Sequence, residues 1–166
     1  SESRLRTIFE AFPESVIVTR LTDGVIVDTN DVFLNKIGRS RAEVIGHTGQ
    51  ALGVLADNND VMAHRETLLE KGSLERELIH LRTAQGEDRW STYSSRLIDF
   101  DGVPAALIVS VDVTQLKLAE TRIRQGEANF AALFQLAPVP MSFIPERDQY
   151  GHTHWNDAWY AAFGFL

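Results

Sequence analysis

The chain has 166 residues, 44% hydrophobic and 23% charged, with 16 basic against 23 acidic side chains and no cysteine. This is apolar material for one ordinary core plus an extension, and a net charge of −7 without a Lys/Arg cluster argues against nucleic acid and anionic membrane surfaces, which need concentrated positive charge. Missing thiols exclude disulfides, thiolate metal sites and thiol chemistry, and neither a long apolar run nor a basic leader is present, so the expected compartment is the cytoplasm, with any membrane segment elsewhere in a parent protein.

Leu5, Ile8, Phe9 and Phe12 recur at helical spacing before Pro13, predicting a flanking helix within residues 1–13. Val16-Ile17-Val18 and Val25-Ile26-Val27 flank Asp23-Gly24, a strong hairpin signal. Asn30 is placed to cap a short helix that carries Phe33, Leu34 and Ile37 and ends at Gly38. Ser40-Arg41-Ala42-Glu43 reads as a capping box closed by Gly46. A third helix from about Asp60 to Lys71 stops at Gly72. The preceding run Asp57-Asn58-Asn59-Asp60 lacks the glycine and distal glutamate of a calcium loop and reads as helix capping. Three strands follow, roughly Leu74 to Thr83, Arg89 to Ile98 and Ala105 to Val113, parted by Gln85-Gly86 and Asp101-Gly102. Residues 14–114 make one domain.

Residues 115–134 read as a helical linker. Leu116, Ile123 and Phe130 sit seven apart, with Ala119, Gly126 and Leu133 at the other seam position. A glycine and an alanine in the seam make it weak, which suits a rod that changes register. The alternative is an amphipathic helix lying on its own sheet.

The opening pattern then recurs. Phe9, Phe12 and Pro13 reappear as Phe134, Ala137 and Pro138 at one constant displacement. One residue further displaced, Asn30-Asp31-Val32-Phe33 and Ile37-Gly38 reappear as Asn156-Asp157-Ala158-Trp159 and Phe163-Gly164. Residues 130–166 thus read as the incomplete N-terminal part of a second copy, and the chain as a piece of a longer array. Met141, Phe143, Trp155, Trp159 and Phe163 would lack the later strands of their own sheet, so another surface is expected to cover them.

The Phe9–Pro13 entry, the Asn30 cap, the Gly38 to Gly46 stretch, the Gly86 to Trp90 approach, Asp101-Gly102 and the Asp112-Val113-Thr114 exit, in that order, resemble the PAS domain of bacterial multidomain signalling proteins. The resemblance implies an α+β fold: a five-stranded antiparallel sheet in the order 2-1-5-4-3, short helices on one face, and flanking N- and C-terminal linker helices. It implies a sensory module that binds a small ligand or partner, forms a homodimer and relays a change through its linker to an output domain, either a histidine kinase or a cyclic-di-GMP enzyme. A ligand-free dimerisation spacer is the rival. Covalent flavin adducts are excluded without cysteine. Haem is disfavoured because the family's axial position falls on Val61, one turn from His64. Non-covalent flavin or a small metabolite stays open. No hydrolase elbow, phosphate loop, zincin or kinase motif occurs, so no catalytic residue is assigned.

On the third helix Val61, His64, Arg65 and Leu68 share one side. Alternation groups Ser91, Tyr93, Ser95 and Leu97, and the resemblance makes that face the inner one. The expected ligand pocket is therefore His64, Leu68, Ser91, Tyr93 and Ser95; otherwise these hydroxyls bond to backbone and trapped water. Asp112 and Thr114 are expected to relay the signal, Thr114 as a helix cap and Asp112 paired with a basic group. Leu5, Ile8 and Phe9 with Leu116, Ile123 and Phe130 form the expected dimer stripes. His152-x-His154 near Asp157 has zinc or nickel ligand types, but Asn156 reads as a helix cap there and no metal is assigned.

Overall fold

The computed structural model describes residues 2–56, 59–145 and 151–164, with backbone alone at 59 and 60. The chain divides into two compact units, Ser1–Thr114 and Gln115–Leu166. Among the described residues no helix is long and apolar enough to cross a membrane.

In the first unit β1 (Ser15–Arg20), β2 (Ile26–Thr29), β3 (Ser73–Arg82), β4 (Asp88–Phe100) and β5 (Val103–Asp112) form an antiparallel sheet ordered β2-β1-β5-β4-β3. Helices α1 (Glu2–Ala11), α2 (Asp31–Ile37), α3 (Arg41–Val44) and α4 (Asn59–Lys71) complete it. This is the expected α+β class and strand order. Strand alternation sends Ile17 inward, where it packs with Phe33, Leu34 and Ile37 of α2, Val44 of α3 and Leu81 of β3. A second cluster joins Leu21, Leu68, Leu74, Tyr93 and Ala106 beneath α4.

Local chemistry sets the joints. Asn30 caps α2 by accepting from Phe33 N, and Gly38 ends the helix in the left-handed region at φ 69°. The left-handed φ is what favours glycine there; a Cβ would come 2.6 Å from Gln85 Oε1, but that amide ends a flexible side chain and can move aside. Ser40 and Glu43 form the reciprocal capping box. A bulge in β3 between Leu74 and Glu77, with Arg76 at φ 52°, was not legible in advance.

Helix α1 buries none of its side chains. It is held by Arg6, bonded to Asp28 at 2.9 and 3.2 Å, by Glu10, which accepts from Arg41 at 3.2 Å and from Asp31 N at 3.0 Å, and by the Asn30 amide on Phe9 O.

The second unit contains most of α5 (Thr114–Leu136), then β6 (Ser142–Phe143), β7 (His154–Trp155) and α6 (Asp157–Ala162). Its geometry repeats that of β1 and β2 in register and in three bonds of the capping asparagine. Ser142↔Trp155 and Phe143↔His154 take the register of Ile17↔Thr29 and Val18↔Asp28. Asn156 Oδ1 accepts from Met141 N at 2.9 Å and Trp159 N at 3.0 Å while Nδ2 donates to Val139 O at 2.9 Å. Asn30 does the same with Val16 N, Phe33 N and Glu14 O. Phe143 meets Phe130 and Phe134 edge-on at 5.1 and 5.0 Å, and Phe163 remains 61% exposed.

Candidate functional site

A cavity of about 210 Å³ lies between α4 and the inner face of the sheet. Ile17, Leu21, Leu68, Leu74, Ala106 and Ile108 supply apolar wall, and Tyr93, Ser95 and Ser110 supply hydroxyls. His64 and Leu68 reach it together because they are four apart on one helix face. Tyr93 and Ser95 reach it because alternate residues of β4 share a face.

The polar groups form a row. Tyr93 Oη is hydrogen-bonded to His64 Nδ1, with the rings edge-on at 5.5 Å between centroids, and His64 Nε2 lies 3.9 Å from Glu77 Oε2. Ser95 Oγ is buried and has no hydrogen-bond partner among the described residues. Ser110 lies opposite Tyr93 on β5.

Ser91 stands apart from its expected neighbours. It is fully buried on the same face, but it does not line the cavity. Two residues along a strand is about 7 Å, which carries it beneath α2, where Lys36 Nζ donates to Ser91 Oγ at 3.5 Å and Ser110 Oγ at 3.4 Å. No carboxylate pairs with this ammonium among the described residues. Burial lowers the Lys36 pKa, opposed by the through-space pull of Asp112 and Glu14; the Arg89 charge lowers it further. Lys36 and Ser110 were missed by sequence reasoning. The available signals were Lys36's place on the flank of the Phe33–Ile37 face and Ser110's alternation with Ile108.

At the exit of β5 the expected cap passes from Thr114 to Asp112, which also has the expected basic neighbour. Asp112 Oδ1 accepts from Thr114 N at 2.8 Å and so supplies the oxygen that starts α5. Thr114 Oγ1 is not the cap: it accepts from Trp90 N at 2.9 Å, tying α5 to β4. Arg89 Nη1 stands 4.0 Å from Asp112 Oδ2. A buried threonine beside an adjacent strand finds a backbone N–H there, so the shorter aspartate loop closes on the helix instead.

Of the expected dimer stripes, Leu5, Ile8, Leu116, Ile123 and Phe130 are exposed, whereas Phe9 is half-buried. His154 stacks on Phe143, and no group of three metal-ligating side chains converges among the described residues. Asp57 and Asn58, and the side chains of Asn59 and Asp60, lie outside the described residues.

The model of the family described as PAS fold matches residues 9–118. The methyl sulfide methyltransferase-associated sensor of Methanosarcina acetivorans is 26% identical over 154 residues, 88% of this chain, and the chain spans 14% of that relative's length. Among solved structures, an RNA-binding light-oxygen-voltage receptor aligns with a TM-score of 0.62 at 18% identity, covering 76% of this chain and 37% of that one. The PAS domain of a LuxR-family transcriptional regulator from Burkholderia thailandensis, solved in complex with ethanol, aligns with a TM-score of 0.51 at 23% identity, covering 65% and 96%. With the β2-β1-β5-β4-β3 sheet and the family match over residues 9–118, the chain belongs to the PAS family, whose domains are generally sensory and non-catalytic.

Proposed function

We propose that this chain is a sensory module whose cavity takes a small, largely apolar molecule and whose β5–α5 junction passes the resulting change to a paired helix. The observation that carries this reading is Ser95 Oγ: buried, without a partner among the described residues, and set in the wall of an otherwise mostly apolar cavity. An unsatisfied buried hydroxyl costs about 1–3 kcal/mol, and a ligand with one hydrogen-bonding group removes that cost. The Tyr93–His64–Glu77 row offers the second polar contact. The cavity's mostly apolar wall with a few hydroxyls and one imidazole suits a small molecule with one or two polar groups. The ethanol held by the Burkholderia thailandensis domain is a ligand of this small kind.

The relay runs through β5, where Asp112 and Thr114 join the sheet to α5, and the exposed stripes of α1 and α5 pair two copies. An output domain of the same protein, a cytoplasmic histidine kinase or cyclic-di-GMP enzyme, reads the change. The sensor relative, many times longer than its match, supports that arrangement. Ligand-observed NMR with a panel of small neutral alcohols and ketones tests the cavity. Members of the panel should bind the wild type and bind Tyr93→Phe several-fold more weakly, with the fold retained. A panel without binders, together with a bare dimer in native mass spectrometry, would leave the spacer reading in its place.

A further inference from the structure

We propose that the ligand of this cavity carries a carboxylate, received by the Ser110 hydroxyl and by the Lys36 ammonium directly behind it. The proposal rests on the cavity being a ligand site and adds the chemical class of the occupant. Lys36 is flanked on α2 by the buried Phe33 and Ile37, and its half-buried ammonium reaches under the helix to the inner face of the sheet. Its only hydrogen-bond partners among the described residues are Ser91 Oγ and Ser110 Oγ. Both serines are buried, and neither hydroxyl has another partner there. One strand further, Ser15 lies opposite Ser110, and its fully buried Oγ has no partner among the described residues.

The cluster is therefore rich in donors and lacks an acceptor with charge. Asp112 and Glu14 act on the ammonium only through space, and Arg89 opposes them. A cation in this setting calls for an anion. Ser110 belongs to both places, since its hydroxyl accepts from Lys36 and its side chain lines the cavity. Accepting from an ammonium polarises the hydroxyl and strengthens it as a donor. A carboxylate at the cavity wall would take the Ser110 O–H, and the flexible lysine stem would bring the ammonium alongside. Such an anion would share Lys36 with Asp112, whose other task is to start α5. Ligand charge would thus reach the exit helix by a short electrostatic path.

Calorimetric titration of the full chain with hexanoate and with 1-hexanol, at about pH 7.5 where the acid is ionised, separates the possibilities. Hexanoate is expected to bind the wild type at least about tenfold more tightly than 1-hexanol. In Lys36→Met and in Lys36→Gln, which keeps polar contact with the serines, the difference should fall to within about twofold, with the alcohol unaffected. Equal or weaker binding of hexanoate by the wild type would overturn the carboxylate assignment and leave the cavity reading standing. A preference that survived both substitutions would overturn the role of Lys36. Failure of both probes would overturn the cavity reading itself and the proposal with it.

Discussion

Replacing Asn30 with alanine removes four hydrogen bonds made by one fully buried side chain. Oδ1 accepts from Val16 N at 3.0 Å and Phe33 N at 3.4 Å, and Nδ2 donates to Glu14 O at 2.8 Å and Phe9 O at 3.2 Å. Loss of the helix cap alone costs about 1 kcal/mol. The Val16 N–H is left inside the protein at about 1–3 kcal/mol, and the partly exposed carbonyls lose less because water reaches them. The expected total is about 3–4 kcal/mol, a large share of the 5–15 kcal/mol typical of a domain. Asn30→Asp keeps the cap but turns a carboxylate oxygen toward two carbonyls, so it should be equally damaging at neutral pH and should recover in mild acid, when the carboxyl can donate again. Urea unfolding followed by circular dichroism gives the total, and amide exchange at Val16 and Phe33 assigns it to the first unit. A loss below about 1 kcal/mol would refute the reasoning, because it would mean that water replaces these bonds at no cost. Asn156→Ala should deprotect Met141 and Trp159 in the same way.

Lys36→Met tests the cost of burying an unpaired charge. Because the folded pKa lies below the ordinary 10.5, the unfolded chain holds the proton more tightly; the cost is present in full at neutral pH and fades as pH rises from the folded value to 10.5. Wild-type stability should climb across that window, while Lys36→Met should be more stable at neutral pH and show no such climb; identical pH profiles would contradict the assignment. Thr114→Val strands the Trp90 N–H and should destabilise the domain by about 1–3 kcal/mol, with faster amide exchange in the first turn of α5; unchanged exchange there would detach Thr114 from the junction. Ile123→Glu should lower the dimer fraction in light scattering, and a wild-type monomer at high micromolar concentration would remove the seam from consideration.

Features set by a few adjacent residues were legible in the sequence. The Asn30 cap, the Gly38 stop and the Ser40–Glu43 box each depend on contacts within one turn, so residue type and spacing suffice to place them. Helical spacing on α4 and alternation on β4 were legible enough to bring His64, Tyr93 and Ser95 together, whereas Leu97, grouped on the same face, is 39% exposed. Alternation gives a face but not a position along it, which is why Ser91 was grouped with the cavity and lies instead under α2. Lys36 was illegible for a different reason: an ammonium on a long stem reads as solvent-facing, and only the depth of α2 on the sheet turns it inward. At Thr114 two oxygens compete for nearby backbone donors, and the choice depends on where β4 runs, which local sequence does not encode.

The attachment of α1 is electrolytic rather than greasy. Arg6 with Asp28, and Glu10 with Arg41, are partly exposed pairs, and the helix contributes no side chain to the core. Ions in solution weaken such pairs, over a screening length of about 8 Å at physiological strength and about 3 Å in molar salt. Salt would then release the flank that carries Leu5 and Ile8 while leaving the unfolding midpoint of the sheet nearly unmoved. In the proposed dimer, ionic strength thereby becomes an input to pairing, acting at a surface the cavity does not touch.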